Sequence, residues 1–422
     1  MQIDPEAGRS RHRVQGMPST ALKLESTRDP HAPPARTTRT SSRPSTPDQI
    51  QAEVSRRPPE SLFLSAAWLS ACFEGWRDGA RYSVLELADE GRPPVWALLG
   101  RRTVVRHGVL PVRVVALNQS TVELLDQPWI ERNGFFGGSP EQFGRHLALM
   151  LKTLERQSDW DELRLGGLVD EHAQVALYQA ARSRLACRLD SEQPSFSVDL
   201  EAIRTQQGGD YLSALSANTR QQLRRARRLV EQTHGPVVID QAASIAQALQ
   251  WFELTGSLHR ARWGGEDDDP HSSGFDNHAF VAFHRRVIEL TFPTGGIQYL
   301  RLRAGSKVLA YLYNFVAGDR VHFYLSGIDY SDPKAKPGML AHWLAIESNL
   351  AAGRRVYDFL AGDARYKRNL STHRSRTLWL VLQRPRWRLQ LEAFGGRVKR
   401  TVLGHARHDT AGAERADSAS AH

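Results

Sequence analysis

Val356-Tyr357-Asp358-Phe359-Leu360-Ala361-Gly362-Asp363-Ala364-Arg365-Tyr366-Lys367-Arg368 opens as a short apolar strand and turns at Gly362. It then sets an acid, a guanidinium, a phenol and an amine within five residues, Asp363 to Lys367. A strand that only props up a scaffold usually ends in glycine, asparagine or serine. Two readings of this end stand side by side: the rim of a site, or a solvated terminus whose charges pair with each other.

Working outward, Val321-His322-Phe323-Tyr324-Leu325-Ser326-Gly327 alternates with period two. That pattern sends Val321, Phe323 and Leu325 to one face and His322, Tyr324 and Ser326 to the other. Asp332-Pro333-Lys334-Ala335-Lys336-Pro337-Gly338 follows, and then Leu340, Trp343, Leu344, Ile346 and Leu350 recur at helical spacing. They predict a helix over residues 339–352, ended by Gly353. The order is therefore strand, Pro-Gly loop, helix, strand.

A helix N-terminus offers free backbone N–H groups and the positive end of the helix dipole. Here Lys334 and Lys336 stand just before it, Pro337 suits the first helical turn, and Gly338 lets the backbone approach a ligand. These features suit a phosphate or pyrophosphate. The plainer alternative is a capped helix with solvated lysines.

Strand, anion-binding loop, helix, strand resembles the core of the GNAT acyltransferase fold, in which loop and helix cradle the coenzyme A pyrophosphate between two splayed strands. Tyr311-Leu312-Tyr313-Asn314-Phe315, Ser326-Gly327-Ile328-Asp329-Tyr330, Lys336-Pro337-Gly338 and Tyr357 to Lys367 resemble the GNAT-like proteins of the CelD type. Those accompany bacterial cellulose and exopolysaccharide biosynthesis. They are related to the Fem-type peptidyltransferases, which use aminoacyl-tRNA and carry two GNAT-like domains in tandem. Tyr366-Lys367 matches an aromatic-lysine pair of the Fem group. The resemblance covers residues 195–385 well and 60–195 loosely. The usual GNAT loop reads Gln/Arg-x-x-Gly-x-Gly/Ala, whereas this chain has the single Gly338, a pattern in keeping with the CelD-type branch. Fem-type proteins keep the fold without using coenzyme A.

The resemblance implies a mixed α/β (α+β) sheet in tandem GNAT-like domains. The expected division is a disordered tail at 1–58, a non-catalytic GNAT-like domain at 59–195, a GNAT acetyltransferase domain at 196–395 and a second disordered tail at 396–422. Chain length suits this, since 422 residues make two ordinary domains plus tails. Residues 1–58 carry Thr38-Arg39-Thr40-Ser41-Ser42-Arg43-Pro44-Ser45-Thr46-Pro47 and few large apolar side chains, too few to offset chain entropy. They lack the apolar core of a secretory signal, and Asp4, Glu6, Glu25 and Asp29 argue against a transit peptide.

Between the tails, strands are expected near 82–87, 95–99, 112–117 and 162–165, with 196–200 closing the first unit. Helices are expected from Ser61 through Phe73, over 140–155 and over 171–182. The second unit should hold helices over 211–231, 245–260 and 277–291, then strands at 297–302, 308–316 and 321–327. Strands alternating with helices indicate an α/β pattern. Only the second unit has a Lys-Pro-Gly loop.

The two cysteines, Cys72 and Cys187, do not suggest a disulfide framework, so a cytoplasmic protein is expected. No cysteine/histidine cluster has zinc spacing, so no metal is expected, and no apolar run is long enough to span a membrane. The net charge of +10 comes mostly from arginine. Arg220, Arg224, Arg225, Arg227 and Arg228 share one predicted helix, and residues 364–391 contain no acid. Such a surface attracts sugar-nucleotide phosphates, lipid pyrophosphates, anionic headgroups at a membrane periphery, or tRNA. A solvated helix face accounts for the same run. DNA is not an expected partner.

Acyl transfer needs a base for the acceptor proton, stabilisation of the oxyanion, and a proton for the leaving group. The expected base is Asp363 or Asp329, with Arg365 orienting Asp363. Lys367 is the expected cation for developing charge or for an acceptor phosphate, and Tyr366 the donor to the leaving group. The donor, acyl-CoA (acetyl-CoA foremost) as a co-substrate with no tightly bound cofactor, would meet Lys336, Pro337, Gly338, Met339 and Ser326. Backbone N–H groups from Ser326 to Ile328 would face the oxyanion. His259, Arg262, Tyr311, Tyr324 and His342 are candidates to line the acceptor pocket, although histidines and tyrosines at such positions are as often packing residues. Three functions follow as expectations. The first is an acyl-CoA-dependent N- or O-acyltransferase acting on a sugar or cell-envelope precursor. The others are a Fem-like transferase using aminoacyl-tRNA, and a non-catalytic anion-binding accessory of polysaccharide assembly.

Overall fold

The computed structural model describes residues 46–89, 91–263 and 274–392, without the side chains of residues 262 and 263. In the first half, α1 (Pro47–Ser55) and α2 (Ala66–Trp76) lead into the antiparallel strands β1 (Tyr82–Asp89), β2 (Arg92–Arg106) and β3 (Leu110–Leu117). After them come α3 (Phe143–Glu155), β4 (Glu162–Val169), α4 (Asp170–Arg182) and β5 (Ala186–Asp199). The second half begins with α5 (Leu200–Gln206), α6 (Ala217–His234), β6 (Val237–Gln241), α7 (Ile245–Trp263) and α8 (His278–Thr291). It continues with β7 (Ile297–Ala304), β8 (Lys307–Ala317), β9 (Arg320–Ile328), α9 (Pro337–Ala351), β10 (Val356–Ala361), α10 (Arg365–Leu370) and β11 (His373–Gln383).

Among the described residues, eleven strands form one sheet, in the order β1-β2-β3-β4-β11-β5-β10-β9-β8-β7-β6. Most pairs are antiparallel. The exceptions are β3 with β4 and β10 with β9. Parallel neighbours need a crossover, which α3 and α9 supply. The succession β1-β2-β3-α3-β4-α4-β5 thus recurs as β7-β8-β9-α9-β10-α10-β11. The last strand of each half is exchanged: β5 pairs with β10, β11 pairs with β4, and the two pair with each other along the middle. This is the expected mixed α/β sheet. The boundary expected at residue 195 falls inside β5.

One apolar cluster crosses both halves, joining Trp68, Trp96 and Phe136 to Phe252, Phe283 and Phe315. The opposite face of the second half packs Leu223, Leu340, Ile346, Tyr357 and Phe359 beneath α6 and α9. Large aromatic and aliphatic side chains removed from water are the main source of stability.

Several expectations need correction. Residues 46–58, expected to be disordered, include α1, whose Thr46 forms a capping box with Gln49 and which buries Ile50 and Val54. Helix α2 is capped by Ser65, which accepts the Trp68 N–H at 3.1 Å, and not by Ser61. The helix expected over 211–231 is a short 3-10 turn, Tyr211–Ala214, followed by α6, because Ser216 captures the Thr219 N–H and starts a new helix. Strand β9 does not keep strict alternation. Its register with β8 shifts at Tyr324, a bulge that puts Leu325 with Tyr324 in the cluster shared by both halves. Ser326, opposite Leu312, therefore lies on the α9 face with Ile328, away from Tyr324.

Candidate active site

Parallel pairing between β9 and β10 is brief: Val356, Tyr357 and Asp358 oppose Arg320, Val321 and His322. Beyond them the strands separate. A register shift between Asp358 and Ala361 carries β10 away, and Leu360 adopts φ 60 while buried. A bulky residue in the left-handed region costs free energy and marks a position that the surroundings over-determine. From Phe323 to Ile328 the wedge-side edge of β9 has no strand partner. At its far end sits the N-terminus of α9. Lys336 caps it with φ 46 and no side-chain cap bond, so the Gly338 and Met339 N–H groups lack intrahelical acceptors. A methyl group added at Gly338 would lie 3.7 Å from Ile328, which places this loop beside the strand edge. The Lys336 ammonium donates to Gln222 on α6 at 2.6 Å.

A strap from the first half, Trp129 to Asn133, lies across the wedge. Backbone of Trp129 meets the Tyr324 hydroxyl on β9. Glu131 Oε2 accepts the Ala361 N–H at the end of β10, 2.8 Å away. Arg132 pairs with Asp358, whose other oxygen accepts the Leu360 N–H at 2.9 Å. His322 Nε2 stands 3.9 Å from the same carboxylate. Lys367 on α10 completes the group, donating to the Ala361 carbonyl at 2.6 Å.

Apart from the partly exposed Arg132 these groups are buried, and burial competes with their charged neighbours in setting ionisation. It pushes the Glu131 carboxyl up, helped by Asp358 and opposed by the Ala361 N–H, Lys367 and Arg132. Burial also acts to raise Asp358, but Arg132, His322 and the Leu360 N–H outweigh it and hold that carboxyl below its ordinary range. Lys367 is pulled down by burial against the pull of Glu131 and Asp358. Buried, His322 is driven down to about 4.

The corresponding wedge of the first half is filled by its own chain. After Val114 to Ala116 pair with Glu162 to Arg164, Asn133 spans the gap, donating to Leu117 O at 3.0 Å and Gly166 O at 2.9 Å. Asn118 donates to Asn133 and to Gly134 O. Before α3, the Glu141 carboxylate takes the Ser139 side-chain bond and its own backbone N–H.

The sequence from residue 217 to 368 matches the family model of an acetyltransferase (GNAT) domain. The second half carries a GNAT acetyltransferase domain. No curated protein matches the sequence. Among solved structures, FemX shares 11% identity and a TM-score of 0.54, with 83% of this chain and 98% of that one covered. At that identity the likeness is one of fold. The C-terminal domain (DUF2156) of a putative lysylphosphatidylglycerol synthetase from Agrobacterium fabrum aligns at 10% identity and TM-score 0.48, over 85% of this chain and 97% of that one. A tandem GNAT protein from the clavulanic acid biosynthesis pathway aligns at 11% identity and TM-score 0.38, over 79% of this chain and 92% of that one.

Within the GNAT domain, the expected site residues do not gather in one place. Lys336, Pro337, Gly338, Met339 and Ser326 share the α9 end of the wedge. Lys367 lies in the buried group at the strand separation. Tyr366 stacks on the buried His342 with centroids 5.1 Å apart, and His342 Nδ1 lies 3.1 Å from the Tyr357 hydroxyl. His342 thus belongs to the layer beneath α9, where burial drives it down to about 3. Asp363 is exposed and pairs with Arg368, so Arg365 is not its orienting partner. Asp329 bonds Lys307 at 2.6 Å; burial acts to raise it, but Lys307 and Ser331 hold it low. Tyr324 lies on the strap side of the wedge and stacks on Phe315 at 4.5 Å. Tyr311 is buried against Trp251, and His259 packs near Phe275. The side chain of Arg262 is outside the described residues.

Glu131, Arg132, Asp358 and His322 are site residues that sequence reasoning missed. Glu131-Arg132-Asn133-Gly134 reads as a turn. Nothing in its spacing indicates contact with a strand more than two hundred residues away.

Proposed function

We propose that the protein is a GNAT-type acyltransferase that moves an acyl group from acyl-CoA to an amine or hydroxyl of a sugar or cell-envelope precursor, the kind of step used in exopolysaccharide assembly. One observation carries this: the unpaired edge of β9 runs directly to the uncapped N-terminus of α9. An unpaired strand edge can hydrogen-bond an extended, amide-bearing chain. A free helix N-terminus holds phosphate. Acyl-CoA presents both in that order, whereas the first half has its gap bridged by Asn133 and its helix start met by Glu141.

In this reading Gly338 and Met339 N–H groups, with Lys336, hold the pyrophosphate. Ser326 and Ile328 line the channel on the α9 face. The bulge at Tyr324 turns a backbone N–H out of the β8 ladder towards the acyl oxygen. Lys367 offers positive charge to the developing oxyanion, and Tyr366 a proton to the leaving group. Asp363 and Asp329 would act as bases only once released from Arg368 and Lys307.

Isothermal titration of acetyl-CoA and longer acyl-CoAs tests the donor. Saturable binding is expected, and Lys336→Glu/Gly338→Asp should abolish it. A folded wild-type protein that binds none refutes the acyl-CoA reading. A second reading, transfer from aminoacyl-tRNA, is favoured by Arg224, Arg225 and Arg228 on α6, which are exposed with no ion pair among the described residues. Activity sensitive to ribonuclease would select it.

A further inference from the structure

The strap is built as part of the second half's site although it belongs to the first half. Its anchors are buried: Ile130 is 5% exposed and Asn133 fully buried. Its contacts step from the Tyr324 hydroxyl on β9 to Ala361 and Asp358 on β10, so it bridges the two strands where they part. Arg132 on the strap has φ 54, a second strained residue at the same point.

Glu131 is the carboxylate this arrangement delivers. Oε2 is committed to the Ala361 N–H, and no described residue donates a hydrogen bond to its other oxygen. The groups facing it are Lys367 from α10, Asp358 from β10, Tyr324 from β9 and Arg132 on its own strap. None forms a direct ion pair with it among the described residues, unlike Asp363 with Arg368 or Asp329 with Lys307. A proton acceptor needs an unclaimed oxygen and an environment that lifts its affinity towards neutral pH. Among the acids of this region, Glu131 combines the two.

We propose that Glu131, supplied by the first half, is the proton acceptor for transfer in the second half's wedge. This rests on the acyl-transfer reading. The acceptor's amine nitrogen attacks the thioester carbonyl carbon, so a C–N bond forms and the C–S bond breaks. The proton lost from nitrogen passes to the Glu131 carboxylate, and the departing coenzyme A thiolate takes its proton from the Tyr366 hydroxyl. Glu131 and Tyr366 are restored by releasing and regaining a proton with solvent. Products are amide and thiol, with no outside oxidant or reductant. Lys367, held near Glu131 and Asp358, keeps positive charge beside the carbonyl while this occurs.

Glu131→Gln separates chemistry from architecture, because the glutamine carbonyl can still accept the Ala361 N–H. Thiol release from acetyl-CoA is followed with glucosamine and galactosamine as acceptors, for wild type and variant across pH 5.5–9. Titration of acetyl-CoA and thermal melting run beside it. Expected is a turnover loss of about 100-fold or more, unchanged acetyl-CoA affinity and melting, and disappearance of the acidic limb of the wild-type pH profile. Glu131→Asp should retain part of the rate. Wild-type transfer that Glu131→Gln leaves intact overturns the assignment alone. A rate loss with the acidic limb preserved also overturns it, since it leaves Glu131 a structural role only. No transfer by the wild type overturns the acyl-transfer reading together with the assignment built on it.

Discussion

Replacing Arg132 by methionine isolates the strongest electrostatic contact between the strap and the sheet. Asp358 is fully buried, with one oxygen on Arg132 and the other on the Leu360 N–H at 2.9 Å. Without the guanidinium, the carboxylate keeps one N–H bond and a neutral His322 at 3.9 Å. Stranding one partner of a buried pair costs about 3–5 kcal/mol, a large share of a typical domain's stability. Urea denaturation followed by circular dichroism at pH 7 should show a loss of that size. Arg132→Met/Asp358→Leu should recover most of it, since no buried charge remains. The sign with pH is also set. In the wild type the folded Asp358 value lies below the unfolded 3.8, so its contribution is present above 3.8 and fades as pH falls through the folded value. In Arg132→Met, burial is opposed by the Leu360 N–H and His322 without the guanidinium, so the folded value rises above that of the wild type, and the deficit against wild type should shrink as pH falls through the two folded values. A pH-independent loss below about 1 kcal/mol would show a solvent-screened pair and refute the account. So would a double variant as unstable as the sum of the singles.

Two further outcomes follow from the same chemistry. Burial holds His146 and His322 down at about 4 and His284 and His342 at about 3, all from 6.5, so the unfolded chain takes up protons that the fold refuses. Stability should therefore fall as pH drops from 6.5 towards 4, by up to about 1.4 kcal/mol per pH unit for each histidine; urea midpoints between pH 7 and 5 measure this, and a flat profile refutes it. Gly327→Ala should destabilise by about 1–3 kcal/mol, because the added methyl would lie 2.8 Å from the Thr255 Cα on α7, and an unchanged melting temperature would contradict that close approach.

The sequence made the strand, loop, helix and strand of the wedge legible because period-two and helical patterns, Pro337 and Gly353 are local signals. The same signals placed Gly338 at a helix start beside a strand end. Other features were hidden for physical reasons. The bulge at Tyr324 depends on the β8 register, which no run of residues reveals. Strand β11 begins with His373, Arg374 and Arg376, charges that obscure its apolar second part from Leu378 to Leu382. Asp358 reads as a polar interruption in a hydrophobic strand until Arg132 is placed beside it. Glu131 could not be assigned to the wedge at all, since its contact with Ala361 joins distant parts of the chain. Asp363 was prominent for its neighbours in sequence, yet a strand end that leads into α10 leaves it exposed.

Exchange of the terminal strands also constrains the order of events during synthesis. When β4 leaves the ribosome, one of its edges has no partner until β11, about two hundred residues later, has been made. Strand β5 likewise waits for β10. Unpaired edges invite pairing with other chains, and distant partners slow folding. A chain cut short before residue 373 would leave β4 and β5 each with a bare edge in the middle of the sheet. The nascent first half is thus a species that chaperones would have reason to hold, and neither half is a natural unit for expression by itself.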